Sequence, residues 1–315
     1  MLAKIFKFLS LSVLFLGFFP SLGWALRPSD SGVNRTLKIW DREIEYQLLI
    51  KKDRGLSHDG EAFTKKVKGQ KISYVVLNPA FFEKEAEALF ERFRREKNPS
   101  ANLKSLNSQE LARLEEKLLS FQGGIISLSS LAPSSKESLK KLKTLFEEIA
   151  WRTLYKASLA KSGVLQEAKE IFIKDFTTSR LRTIEHHEAA HLYDILGSAE
   201  TKSPEFEKFT EVNAFYAELV HGENPHDSMA QAVSGLIDEM NRGKVVDYSV
   251  EKVLSVARFL KDCPQFAKRF KPSPLTPCCL EMLAKIKRKD FIRIGTELFR
   301  ENQDRFPSQY ALLTK

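Results

Sequence analysis

Apolar residues recur every three to four positions through most of the chain after residue 78, and this spacing restricts its fold more than any other feature. It is the spacing that places apolar side chains along one face of a helix. A mainly helical body is therefore expected. Besides a helix that opens at Pro79 and an apolar stripe of Leu111, Leu114, Leu118 and Leu119, helices are predicted over residues 134–160, 164–175, 179–196, 204–221, 226–242, 248–262, 277–287 and 289–302.

The residues before Pro79 have the pattern of β-strands instead. Residues 36–51 predict two short strands around a turn near Asp41, and residues 71–77, rich in β-branched and aromatic side chains, predict a third. The polar, glycine-containing residues 52–70 predict a loop. We therefore expect a mainly α (α+β) fold, a multi-helix body with a small N-terminal β element.

The first 25 residues have the form of a secretory signal peptide. Lys4 and Lys7 precede a short apolar run over residues 8–19, and Gly23-Trp24-Ala25 places small residues where a signal peptidase recognises its substrate. An uncleaved anchor is the alternative, but the run is short for a membrane span. We therefore predict cleavage after Ala25 and a periplasmic or secreted protein.

The remaining chain divides by pattern into four segments. These are a β-containing segment at 26–78, a helical region at 79–175, a pair of motif helices at 176–225 and a C-terminal helical region at 226–315. An apolar content of 43% and a charged content of 29% are those of an ordinary globular protein. The sequence sets no oligomeric state.

Charge and cysteine content exclude some classes of partner and cofactor. The formal net charge is +9, but the cations are interspersed with acids, so no nucleic-acid partner is predicted. Such a chain is compatible with contact with anionic envelope surfaces. Cys263, Cys278 and Cys279 form no metal-type pair; after export Cys263 could bridge to either of the others, or all three could stay reduced.

Histidines are concentrated in one part of the chain. Five of the six lie between residues 186 and 226, and two of these stand four apart in His187-Glu188-Ala189-Ala190-His191. On a helix this spacing puts both imidazoles on one face, where they can bind a single Zn²⁺. Glu188 stands next to that face, in position to accept a proton from water that zinc makes more acidic.

A zinc site with two histidines needs a third ligand. Gly197 occupies the position at which the metzincin pattern requires one, so that class is excluded. In the next predicted helix Glu211 and Glu218 share a face with Ala214 and Phe215. A carboxylate on such a core-facing stripe needs a partner, and a metal ion would be one.

The motif and this helix together resemble a known class of enzymes. His-Glu-x-x-His, followed about twenty residues later by Glu-x-x-Ala-x-x-Ala-Glu-Leu, is similar to the gluzincin zinc metallopeptidases over about residues 179–222. The resemblance implies zinc held by His187, His191 and Glu211, with Glu188 as general base in the hydrolysis of a peptide or protein substrate. It also implies an extended strand that aligns the substrate, for which residues 71–77 and 124–129 are candidates.

The chain departs from the thermolysin-like pattern at one position. Those enzymes carry aspartate four residues after the ligand glutamate, where this chain has Phe215. The carboxylate that orients a ligand imidazole would then be Asp194 or Glu218, and Glu218 is also an alternative ligand. His186 faces away from the pair. Candidate donors to a developing oxyanion are Tyr193, Tyr216, His221 and His226.

Two other hypotheses fit parts of the pattern. The Glu-x-x-His pairs that begin at Glu188 and Glu218 are also those of a ferritin-like di-iron bundle, which predicts iron and tolerance of His187→Ala. Alternatively, the chain is a non-catalytic helical envelope binding protein, for which Glu188→Gln would have no effect. Further carboxylates for a di-iron site would come from Glu147, Glu148, Glu167 or Glu170.

Overall fold

The computed structural model describes residues 32–51, 59–96, 133–197, 204–242, 247–262 and 286–305, together with residues 113 and 116. The prediction of a mostly helical chain with a small N-terminal sheet is confirmed. The signal peptide, the stripe of four leucines, residues 124–129, nearly all of the predicted helix at 277–287 and the three cysteines lie outside the described residues. The strands are β1 (Val33–Ile39), β2 (Arg42–Ile50), β3 (Gly60–Val67) and β4 (Gln70–Leu77), and the helices are α1 (Pro79–Arg95), α2 (Pro133–Lys161), α3 (Leu165–Gly197), α4 (Pro204–His221), α5 (Pro225–Asn241), α6 (Asp247–Asp262) and α7 (Arg288–Arg305).

The four strands form one sheet in the order β1-β2-β4-β3. The β1–β2 and β3–β4 pairs are antiparallel, whereas β2 and β4 are parallel. Residues 71–77 are confirmed as a strand, but β4 is paired on both sides from Tyr74 to Leu77. It therefore lacks, over that stretch, the free edge that a substrate-aligning strand needs.

Strand β3 corrects part of the prediction of a loop over residues 52–70, of which residues 52–58 lie outside the described residues. It pairs with β4 residue by residue, from Gly60 opposite Leu77 to Val67 opposite Gln70. The two-residue turn between them has positive φ at both positions, 49° at Lys68 and 84° at Gly69, as a tight hairpin turn requires. The local composition predicts a loop because β3 is polar, and the strand forms because β4 supplies its partner.

Helix α3 corrects the prediction of two separate helices at 164–175 and 179–196. It is a single helix of 33 residues that runs through Thr177 and Thr178. The Thr178 hydroxyl donates to the carbonyl oxygen of Lys174, one turn back, so its hydrogen bond is made within the helix. Phe176 is fully buried at this point, which holds the two halves together by packing.

Helix α3 lies at the centre of the molecule. It packs against the sheet on one side and contacts α1, α2 and α4 on others. Helix α4 in turn contacts α5, α6 and α7, and its residues Val212, Phe215 and Leu219 are buried. None of the helices that the structure describes is long and apolar enough to cross a membrane. This packing fixes α3 and α4, which carry the histidine motif and the two predicted glutamates, side by side.

Candidate metal centre

Helices α3 and α4 bring His187, His191 and Glu211 to one point. The Nε2 atoms of the two imidazoles are 3.1 Å apart, and His191 Nε2 is 3.6 Å from Glu211 Oε1. A tetrahedral ion with bonds near 2.0–2.1 Å separates its ligand atoms by about 3.3–3.4 Å, between these two values. All three ligand atoms lie within 4.8 Å of one another, so the group could hold a metal ion. The described residues contain no second group of this kind.

Small buried side chains flank the site on both helices. Ala189 and Ala190, between the histidines, are buried, and so is Ala214 on α4. The four-residue spacing places His187 and His191 one turn apart on the same face of α3. The local sequence thus determines the geometry of the imidazole pair, and the contact between α3 and α4 adds the carboxylate.

Glu218 orients one of the imidazoles. Its Oε1 atom accepts a 2.6 Å hydrogen bond from His187 Nδ1, which leaves Nε2 of that ring for a metal ion. Burial opposes a charge on His187, but the hydrogen bond and charge of Glu218 outweigh it and raise the pKa of His187 to about 9. Burial likewise opposes the carboxylate, yet the same hydrogen bond holds the pKa of Glu218 below its usual range.

Lys252 of α6 holds the third carboxylate, and the sequence did not predict this contact. Its Nζ atom donates to Glu211 Oε2 at 2.7 Å, so Oε1 is the oxygen that faces His191. Burial alone would raise the pKa of Glu211, but Lys252 and then the two imidazoles hold it well below its usual range. Burial is the main reason that the pKa of His191 falls to about 4. The carboxylate is therefore kept ionised and fixed in orientation.

Glu188 lies against the first residue of strand β3. A Cβ atom added to Gly60 would stand 2.8 Å from Glu188 Oε1 and 2.7 Å from Ile184 Cγ2. Only glycine leaves room there for the carboxylate. Burial raises the pKa of Glu188 to about 8; the charge of His187 opposes this, and those of Asp59 and Glu211 add to it. The edge of the sheet and the histidine motif thus meet at this carboxylate.

Gly60→Ala is expected to destabilise the protein by about 1–3 kcal/mol, because the new methyl group would overlap Glu188 and Ile184. The measurement is the free energy of unfolding, from urea unfolding followed by circular dichroism. Gly235→Ala in α5 is the control, because its Cβ meets no atom within 4 Å. A loss of stability no larger than that of the control would contradict the close packing of Glu188 against Gly60.

The other predicted site residues form contacts outside the metal-ligating group. Asn213 donates through Nδ2 to both carboxylate oxygens of Asp194, at 3.2 Å each. His186 donates through Nδ1 to the Arg182 carbonyl oxygen, at 2.7 Å. Of the four predicted oxyanion donors, Tyr193 donates to Asp41, Tyr216 is buried in the core, His221 stacks on His186 and His226 packs against Phe291.

The carboxylates that a di-iron site would need have partners of their own. Glu147 binds Arg92 and Lys143, and Glu148 binds Arg152. Glu167 accepts from Ser162 and Glu170 from Gln166. Glu218 is bonded to His187, whereas His221 stacks on His186. These contacts give the di-iron hypothesis no support.

Comparisons with family models, with curated proteins and with solved structures found no match. The resemblance to gluzincins therefore rests on the motif of residues 187–191 and the helix that follows it. A function for this chain has to be argued from the chemistry of the site.

Proposed function

We propose that this protein is an exported zinc-dependent metallopeptidase with a zincin-like site of the gluzincin type. One observation carries the proposal: two imidazole nitrogens and one carboxylate oxygen converge, and Glu188 follows His187 in the same helix. Three protein ligands that leave a coordination position open are typical of catalytic zinc, whereas structural zinc has four.

The donor set suits zinc in both chemistry and spacing. His187 and His191 would bind zinc through Nε2, and Glu211 would bind it through Oε1. Glu218 orients the His187 ring, and Lys252 orients the Glu211 carboxylate. Bound zinc supplies a Lewis acid that acidifies water and polarises a carbonyl group. Residues that hydrogen-bond to metal ligands, as Glu218 and Lys252 do here, hold those ligands in position for the metal.

Glu188 is the residue to which we assign proton transfer. Its carboxylate is buried, and Glu188 directly follows the ligand His187 in α3, next to the face that carries both imidazoles. In the proposed reaction Glu188 accepts a proton from the attacking water and delivers it to the nitrogen of the departing amine. The C–O bond forms first and the C–N bond then breaks, so the products are a carboxylic acid and an amine, which ionise to a carboxylate and an ammonium group.

The edge strand β3 supports a polypeptide as the substrate. The backbone N–H of Asn78 donates to the carbonyl of Asp59, which makes this a hydrogen-bonded pair of the β3–β4 ladder. Hydrogen-bonded pairs alternate with pairs whose backbone groups point outward, so Gly60, Ala62 and Thr64 direct their N–H and C=O groups away from β4. An extended polypeptide can pair with this edge, which begins beside Glu188.

Metal analysis of the purified mature protein tests the proposal. We expect about one zinc per chain in the wild type and none in Glu211→Ala, because a catalytic zinc needs its third ligand. Glu218→Ala should keep zinc but bind it about 10–100-fold more weakly, since an orienting partner is lost. Chelator competition measures the affinities, and circular dichroism checks that each variant is folded.

Three results would count against this assignment. A wild type that binds no zinc would remove the basis of the proposal. Retention of zinc in Glu211→Ala with loss in Glu218→Ala would exchange the roles of the two glutamates. Iron in place of zinc, unaffected by His187→Ala, would favour the di-iron hypothesis.

A further inference from the structure

The β3–β4 hairpin ends in four exposed lysines, Lys65, Lys66, Lys68 and Lys71, which we call the lysine tip. None of them forms an ion pair with another residue that the structure describes. Lys66 stands directly opposite Lys71 in the register, and like charges in that arrangement repel each other. The lysine tip therefore carries positive charge that no described residue neutralises through an ion pair.

The lysine tip lies at the far end of β3, the strand that begins at the candidate site. Lys66 follows Gly60 by six residues, which at about 3.3 Å per residue is about 20 Å along β3. Side chains at alternate positions share a face, so Gly60, Ala62, Thr64 and Lys66 point to the same side of the sheet. Because the Cβ direction of Gly60 faces α3, Lys66 and its partner Lys71 project from the face that carries Glu188.

We propose that the lysine tip binds acidic side chains of a polypeptide substrate that is paired along β3. The acidic residues would lie about six positions from the bond to be cleaved, because an extended chain advances by the same distance per residue as β3. This inference rests on the proposed peptidase function and specifies its substrate class, extended polypeptides with an acidic segment remote from the scissile bond.

Charge complementarity and geometry favour this occupant over a membrane surface. No large apolar side chain next to the lysine tip is exposed for insertion into a bilayer, since the neighbouring Val67 is half-buried. The lysines also continue the outer edge of β3, which has no neighbouring strand among the described residues and starts beside Glu188. An alternative role for lysines on an edge strand is to prevent two sheets from pairing. That role predicts no preference for the charge of a bound peptide.

Peptide binding to the full mature chain carrying Glu188→Gln tests the inference without turnover. The probes are fluorescent peptides of about 16 residues with a neutral core of Ala, Leu and Phe. They carry three Glu or three Gln, either about six positions from the centre or next to it. We expect the remote Glu peptide to bind about 10-fold more tightly than its Gln counterpart, with the difference shrinking as salt is added.

Matched lysine variants show where the preference arises. The double substitution Lys66→Gln and Lys71→Gln should remove the preference for the remote Glu peptide. The same change at Lys140 and Lys156, two exposed lysines of α2, should leave it intact. The peptide with Glu next to its centre should bind no better than its Gln counterpart in any variant.

Several outcomes would overturn the inference. Equal binding of Glu and Gln peptides would assign the lysines to edge protection, and an equal loss in the α2 variant would reduce the effect to net charge. Tip-dependent binding to anionic phospholipid vesicles, without a peptide preference, would replace the substrate by a membrane. If the Glu peptides bind no better than the Gln peptides but the wild type still cleaves neutral peptides, the lysine-tip inference fails and the peptidase proposal stands. If peptide binding depends on charge but the wild type cleaves no peptide, the peptidase proposal fails.

Discussion

Glu188→Gln is expected to lower peptide hydrolysis by about 10²–10⁴-fold, the usual contribution of a general base, while zinc remains bound. Glutamine has nearly the same shape as glutamate, but it cannot accept the proton that water must lose. The side chain is buried against Gly60, so the variant keeps its packing. Steady-state kinetics on a fluorogenic peptide, with zinc content determined on the same sample, measure the effect.

The control is the same substitution one turn earlier in the same helix. Glu185 is also buried, and it accepts a 2.6 Å hydrogen bond from the Tyr46 hydroxyl, which glutamine can still accept. Glu185→Gln should therefore hydrolyse the peptide at the wild-type rate. Unchanged turnover in Glu188→Gln would show that the measured hydrolysis comes from elsewhere, and the non-catalytic binding protein would become the better hypothesis.

Arg180→Leu is expected to destabilise the protein by about 3–5 kcal/mol, the typical cost of breaking a buried ion pair. The guanidinium lies 2.7 Å from Asp227 Oδ2 and 3.0 Å from Glu85 Oε1. Trp151 Nε1 also donates to Asp227, at 2.7 Å. Leucine would leave the Asp227 carboxylate buried without its cation. That loss is a large part of the roughly 5–15 kcal/mol that stabilises a typical domain.

Urea unfolding followed by circular dichroism measures this loss. Arg182→Leu, two residues further along α3, is the control because Arg182 is exposed and pairs with Glu223 at the surface. An exposed pair of this kind contributes little, so Arg182→Leu should leave the unfolding midpoint unchanged. An equal shift in both variants would mean that the effect arises from the helix, and the buried pair would have no special role.

The sequence predicts those features that depend on neighbours in the chain. The four-residue spacing of His187 and His191 determines their geometry, and apolar periodicity locates α4 and the glutamate that joins them. The one error in that region is the division of α3, where Thr177 and Thr178 lower helix propensity but the buried Phe176 maintains the helix. Tertiary packing overrides a weak local preference there.

The features that the sequence does not predict depend on partners far away in the chain. Strand β3 has the composition of a loop, and only its register with β4 makes it a strand. Lys252 is one of two lysines in an amphipathic helix, and only the packing of α6 beside α4 brings it to Glu211. Gly60 has no local signature either, because the space that it leaves is filled by a side chain of α3.

A row of buried hydrogen bonds that links α7, α4 and α3 has a consequence for the timing of folding. Asn302 of α7 donates to Asn213 at 2.8 Å, and Asn213 in turn donates to Asp194, with all three side chains buried. A chain emerging from the ribosome acquires α7 after every other described helix. Until that helix arrives, α4 lacks its contact with α7 and Asn213 lacks this bond. Assembly of the described fold is therefore completed only after α7 has been synthesised.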